Sequence, residues 1–133
     1  MRLSIERTNT VLYCSRWQET VDFYRSVLDL PIAFANDWFV EFELTATSFL
    51  SVANAARSTI DAVGGQGITI TAKVADVVTA RQALVDRGVE VTPVQRRWGS
   101  AVVYLRDPER HRLELWSEND VSDRLSRRRG SPR

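Results

Sequence analysis

One pattern in this chain runs once and then runs again. Residues 8–14, "TNTVLYC", read as a strand. From Trp17 to Leu28 the residues Trp17, Val21, Tyr24 and Leu28 fall at helical spacing, and Pro31 helps to end the helix. Ser15 and Gln18 have the spacing of a capping box at its start. "DWFVEFEL" and "SFLSVA" follow as strands rich in aromatic and β-branched residues. After a connection over 54–67 that ends in "GGQG", the order restarts at "ITITAKV", residues 68–74. Asp76 is placed to cap a second helix bearing Val77, Ala80 and Leu84, with Gly88 at its C-terminal end. "VEVTPV", "SAVVYL" and "HRLELW" read as the remaining strands, with "RDPERH" as the turn before the last.

At an offset near 60, Asn9 aligns with Thr69, Ser15 with Ala75 and Trp38 with Trp98. Each copy is βαβββ, and its one helix covers one face of its sheet. The expected architecture is therefore α+β with two βαβββ modules, the other face of each sheet being left for the second copy, a second subunit or a ligand. Module one spans 5–53, the linker 54–67 and module two 68–118, together one domain over 1–118. Residues 119–133 form a basic tail.

A chain of 133 residues suffices for one domain with a real core. No apolar run reaches the roughly 18–20 residues of a membrane span, and "MRLSIERTN" lacks the apolar stretch of a signal peptide. Cys14 is the single cysteine, which excludes an internal disulfide and a Cys-rich zinc site. The expected address is cytoplasmic. The formal charge of +1 conceals five arginines in the last ten residues, preceded by all 17 acids. "NDVSDRLSRRRG" reads as a solvated end with Val121 and Leu125 on one side of a short helix. Five arginines allow salt-sensitive contact with nucleic acid, but no recognised motif accompanies them, and nucleic acid is not an expected partner.

"TVDFYRSVLDL" resembles a helix end typical of the vicinal oxygen chelate superfamily, which holds glyoxalase I, the bleomycin-resistance proteins and the extradiol dioxygenases. "RWGSAVVYLRDPERHRLELW" resembles its closing signature, and "VADVVTARQALVDRGVEV" its second-module helix. The resemblance covers residues 5–118 and implies the glyoxalase/bleomycin-resistance fold, in which the curved mixed sheets of the two βαβββ modules enclose a cleft. On that fold, strand parity sends Leu12, Leu50, Val52, Ile68, Ile70, Leu113 and Leu115 toward the helices. It leaves Asn9, Val11, Tyr13, Phe49, Ser51, Thr69, Thr71, Lys73, Glu114 and Trp116 for the cleft.

Metal-dependent relatives place one His, Glu or Gln ligand on each of four strands. The resemblance puts Asn9, Ser51, Thr69 and Glu114 at those positions. Only Glu114 is a usual ligand, whereas catalytic zinc takes three protein ligands and a facial iron site two His and a carboxylate. His111, the one histidine, reads as an exposed turn residue. Glu41 and Glu43 share a face that suits solvent or an intersubunit rim. No metal and no cofactor is expected.

The resemblance then implies the drug-binding branch of the family, dimeric, with ligand in a groove of aromatic walls and few polar anchors. The expected function is metal-free binding of a planar or aromatic small molecule by a homodimer, for antibiotic sequestration or metabolite binding. The expected ligand contacts are Asn9, Tyr13, Trp38, Phe49, Ser51, Thr69, Trp98, Tyr104, Glu114 and Trp116. Glu114 keeps three readings: a polar anchor or structural partner, a general base, or a metal ligand. The alternative function is a metal-dependent or Glu114-dependent lyase, isomerase or dioxygenase of the same superfamily.

Overall fold

The structure, a computed structural model, describes residues 1–118. The expectation for the basic tail lies outside the described residues. The chain divides into two compact units: Met1–Gly67 with Asp107–His111, and the rest from Ile68 onward.

Unit one holds strand β1 (Thr8–Cys14), helix α1 (Trp17–Asp22), β2 (Ile32–Ala35), β3 (Phe39–Thr45) and β4 (Ser48–Asn54). Its sheet has the order β1-β4-β3-β2, with β1 parallel to β4 and the other pairs antiparallel. Leu12, Cys14, Val40, Phe42, Leu50 and Val52 are buried, as are Val21, Phe23 and Tyr24 of the helical segment. Packing joins the two sets, with the Tyr24 and Phe42 ring centroids 5.9 Å apart. β2, which the sequence reading did not single out, is the exposed edge strand.

α1 runs on into a π-type turn over Phe23–Val27, closed by the Leu28 N–H donating to the Phe23 carbonyl. The capping box expected at Ser15 does not form. Arg16 is the N-cap, and its side chain makes no capping bond. The carboxylate of Glu109 supplies that bond from the turn between the last two strands. It accepts from the Arg16 N–H at 2.7 Å and the Ser15 hydroxyl at 3.0 Å. A local box is unnecessary where a distant carboxylate meets the same orphan donor.

Unit two repeats the plan: β5 (Thr69–Lys73), α2 (Val77–Asp86), β6 (Gln95–Arg97), β7 (Ser100–Arg106) and β8 (Arg112–Glu118), in the order β5-β8-β7-β6. β5 runs parallel to β8; the other pairs are antiparallel. Asp76 caps α2 as expected, its carboxylate accepting from the Val78 and Thr79 N–H groups. Gly88 follows the helix at φ +82°, the left-handed conformation that ends helices. α2 backs β7 and β8, over the buried Ala101, Val103, Leu105 and Leu113.

"VEVTPV" is not a strand; the short β6 begins after it, at Gln95. Thr92 explains the displacement. Its N–H donates to the Tyr104 carbonyl at 3.0 Å, but the Tyr104 N–H donates to the Thr92 hydroxyl at 2.9 Å. A side chain thus stands in for one rung of the ladder, and Pro93 has no N–H to continue it.

Candidate functional site

In unit two, parity sets one side of the sheet against α2 and leaves the other without a covering element of that unit among the described residues. On the open side lie Thr69, Thr71 and Lys73 of β5, Arg112, Glu114 and Trp116 of β8, Val102 and Tyr104 of β7, and Arg97 of β6. The register places Tyr104 opposite Glu114 and Val102 opposite Trp116. The Tyr104 hydroxyl donates to the Glu114 carboxylate, and this bond is the main reason its pKa is raised. Arg112 donates from Nε to the Thr69 hydroxyl at 2.9 Å, and its guanidinium lies 4.9 Å from the Tyr104 ring centroid. Lys73 is exposed, bonds Glu118 at 3.3 Å and sits 5.4 Å from the Trp116 ring. Two aromatic rings on this side therefore each carry a cation.

Trp98 is placed differently. With Gly99 it forms the two-residue loop between β6 and β7, at φ +53° and +80°. It is 100% exposed. Positive φ at both loop positions is the geometry of a tight hairpin turn, which favours Asn-Gly over Trp-Gly.

In unit one, Asn9 joins β1 to its neighbours. It accepts from the buried Ser51 hydroxyl at 2.8 Å and donates to Glu41 at 3.2 Å. Arg7 donates to the same Glu41 carboxylate at 3.0 Å, and its guanidinium covers the Phe49 ring at 3.8 Å. Asn9, Ser51 and Phe49 are thus brought together, and Glu41 belongs with them, a half-buried carboxylate tied into the sheet. Tyr13 and Trp38 stand apart from this cluster. Tyr13 lies one residue before the end of β1, half-buried and opposite Ala53. Trp38 is half-buried edge-on to Phe39, with its N–H bonded to the Asn36 side chain at 3.0 Å.

The positions matching metal ligands do not suit a Lewis-acid metal. Asn9 and Ser51 are bonded to each other, Thr69 accepts from Arg112, and Glu114 accepts from Tyr104. The set holds one carboxylate and no imidazole or thiolate, below what zinc or non-haem iron sites use.

Sequence reasoning missed a second polar cluster. His111 is 5% exposed, not an exposed turn residue. Its Nδ1 pairs with Asp107 Oδ2 at 2.8 Å, and its N–H donates to Asp107 Oδ1 at 2.9 Å. The Tyr24 hydroxyl donates to the same carboxylate at 2.7 Å. Burial, then the Asp107 charge and hydrogen bond, hold the Tyr24 pKa well above its usual value. Close by, burial and the charges of Glu109 and Asp107 push the Cys14 thiol up to about 12. Gly65 packs on the turn where a Cβ would lie 2.2 Å from the Arg110 carbonyl carbon, and its φ is +74°. The signal was in the parity: His111 alternates with Glu114, so it falls on the side of buried Leu113.

Two modules, each a mixed four-stranded sheet with one main helix, define an α+β class. The chain belongs to the Glyoxalase/Bleomycin resistance protein/Dioxygenase superfamily, whose model matches residues 7–115. No curated protein matches it. Among solved structures it is similar to a glyoxalase/bleomycin resistance protein/dioxygenase from Nocardioides, at 20% identity and a TM-score of 0.72 over 91% of this chain and 87% of that one. It is similar to TnmS3, an antibiotic binding protein from Streptomyces sp. CB03234, at 16% identity and a TM-score of 0.74 over 90% and 99%. It is also similar to a lactoylglutathione lyase from Agrobacterium tumefaciens, at 20% identity and a TM-score of 0.69 over 83% and 91%. At these identities the likeness is one of fold. No helix among the described residues is long and apolar enough to cross a membrane.

Proposed function

We propose that this protein binds a planar or aromatic small molecule without a metal, on the open face of the second sheet. The observation that carries the reading is the arrangement of Tyr104 and Trp116: two half-buried rings on one face, with a fixed polar group beside each. Glu114 holds the Tyr104 hydroxyl and Thr69 holds Arg112, so the walls and anchors stand in place before a ligand arrives. This favours the anchor or pairing role for Glu114 over the base, because its carboxylate already accepts from a phenol. A protein of the same fold, TnmS3, is described as antibiotic binding, which supports sequestration as the biological role. Tyr13, Trp38, Phe49, Trp98, Asn9 and Ser51 belong to the reading as further contacts.

The reading includes one domain over 1–118, a homodimer and a cytoplasmic setting. Ile32 and Phe34, 44% and 52% exposed on edge strand β2, supply apolar surface for a second subunit. A buried free thiol at Cys14 accords with a reducing compartment.

The test is titration of intrinsic tryptophan fluorescence with planar aromatic antibiotics. Saturable quenching, lost in Trp116→Ala, is expected; no quenching, or the same curve from the variant, counts against the reading. Metal analysis of protein purified without chelator should find no stoichiometric zinc, iron, manganese or nickel. Stoichiometric metal lost in Glu114→Gln would overturn the metal-free part.

A further inference from the structure

Ahead of β1 lies a segment that reads as a strand and has no sheet. In "MRLSIE", residues 1–6, Met1, Leu3 and Ile5 alternate with Arg2, Ser4 and Glu6. Strict alternation of this kind is the pattern of a strand with one face buried. Here Leu3 and Ile5 are 69% and 71% exposed, and no residue of 1–6 makes a hydrogen bond or ion pair among the described residues. The sheet ladder begins only at Thr8, which registers with Ser48.

Edge strand β2 has the complementary deficit. All four of its residues are exposed, none is charged, and its outer edge is unpaired in the sheet. The register shift between Ile32 and Phe34 sets Ile32 beside Phe42 and Phe34 beside Glu41, so each face of the edge ends in an exposed apolar side chain. An uncharged apolar edge of this kind invites a further strand. The other wholly exposed edge strand, β6, has no apolar side chain and carries Arg96 and Arg97, like in charge to Arg2 of the segment. Within one chain, residues 1–6 cannot lie along β2. β1 and β2 are at opposite edges of a four-stranded sheet, three strand spacings or about 14 Å apart. Six extended residues span about 20 Å, so the crossing uses about four of them and leaves about two for a four-residue strand.

We infer that residues 1–6 add as a fifth strand to β2 of a second copy of this chain. The inference rests on the homodimer of the proposed function and names the surface that forms it. Strand addition pairs the free backbone groups of both partners and takes Leu3 and Ile5 out of water beside Ile32 or Phe34. Charge steers the choice of edge: β2 presents no cation to Arg2, whereas β6 presents two. Exchange by both protomers about a two-fold axis uses both β2 edges and leaves none to extend the assembly.

The experiment is sedimentation equilibrium of the full chain and of a Leu3→Asp/Ile5→Asp variant. The full chain should be a dimer, and its dissociation constant should rise about a hundredfold or more in the variant, the worth of two buried aliphatic side chains. Neither residue is part of the core, so the near-ultraviolet circular dichroism should be unchanged. Cross-linking tests the edge itself. Ile5→Cys protein mixed with Phe34→Cys protein and a short bismaleimide should give a covalent pair that neither gives alone; Ile5→Cys mixed with Gln95→Cys, on β6, should not. Cys14 is buried and out of reach of the reagent. A dimer unaffected by the double substitution overturns the inference and leaves the homodimer to another surface. So does an Ile5→Cys protein that fails to link to Phe34→Cys, or links equally to Gln95→Cys. A chain that is monomeric at every concentration overturns both the inference and the homodimer.

Discussion

The Tyr24 hydroxyl donates to Asp107 Oδ2 at 2.7 Å, across 83 positions of sequence. Both side chains are buried, and the same carboxylate accepts from the His111 backbone and faces its ring. The bond ties the helical segment of unit one to a turn contributed from late in the chain. Tyr24→Phe keeps the ring that packs on Phe42 and removes only the donor. It should cost about 1–3 kcal/mol, the range for leaving a buried charged acceptor short of a partner. Urea unfolding is the measurement, with a lower midpoint and an unchanged slope expected.

Much of this architecture is legible in sequence because it depends on local alternation. In β8, Leu113 is buried while Arg112, Glu114 and Trp116 share the other side, as two-residue periodicity requires. Asp76 and Gly88 mark the ends of α2 by their own chemistry. What escaped reading was non-local. Ser15 looked like a cap, but its hydroxyl serves Glu109, 94 residues away. "VEVTPV" looked like a strand until the Thr92 hydroxyl took the Tyr104 N–H. For the candidate site, parity identified the face of Glu114 and Trp116, but it could not show that Tyr104 holds Glu114 or that Glu41 joins Asn9.

Glu109 does from a distance what a capping residue does locally. Its two oxygens take the Arg16 N–H and the Ser15 hydroxyl, and it is buried. Glu109→Ala should destabilise by about 1–2 kcal/mol, the upper range of a lost N-cap. Ser15→Ala removes one of the two bonds and should cost less. In the double variant the two losses should add to less than their sum, because both act through one carboxylate. Strict additivity in a double-mutant cycle would show that the hydroxyl contact contributes nothing.

Alkaline stability follows from Cys14. Burial, Glu109 and Asp107 raise the thiol pKa from 9.0 to about 12. Above pH 9 the unfolded chain loses this proton while the native chain keeps it, so the native state binds more protons. Stability must then fall as pH rises, by about 1.4 kcal/mol per pH unit for this one group, until the folded pKa is reached. Below pH 9 the group contributes no slope. Cys14→Ala should flatten the alkaline limb of a stability–pH profile, leaving the remaining fall to Tyr24 and Tyr104, whose pKa values are also raised. The native thiol should be inert to a disulfide reagent at neutral pH and react only on unfolding.

Trp98 sets stability against binding at a single position. Its φ of +53° at the first position of a two-residue hairpin loop is a conformation that a bulky residue adopts at a cost, and its ring is wholly exposed. Asn occupies that conformation readily and forms the preferred Asn-Gly turn with Gly99. Trp98→Asn should therefore stabilise the protein by about 1 kcal/mol, seen as a higher thermal midpoint. Nothing in the fold requires a tryptophan there, which suits a residue kept for contact with a ligand. On that reading the same substitution should weaken the binding of aromatic probes several-fold, roughly the 0.5–1.5 kcal/mol of one aromatic pair. A stabilised variant with wild-type affinity would remove Trp98 from the binding face and leave Tyr104 and Trp116 as its walls.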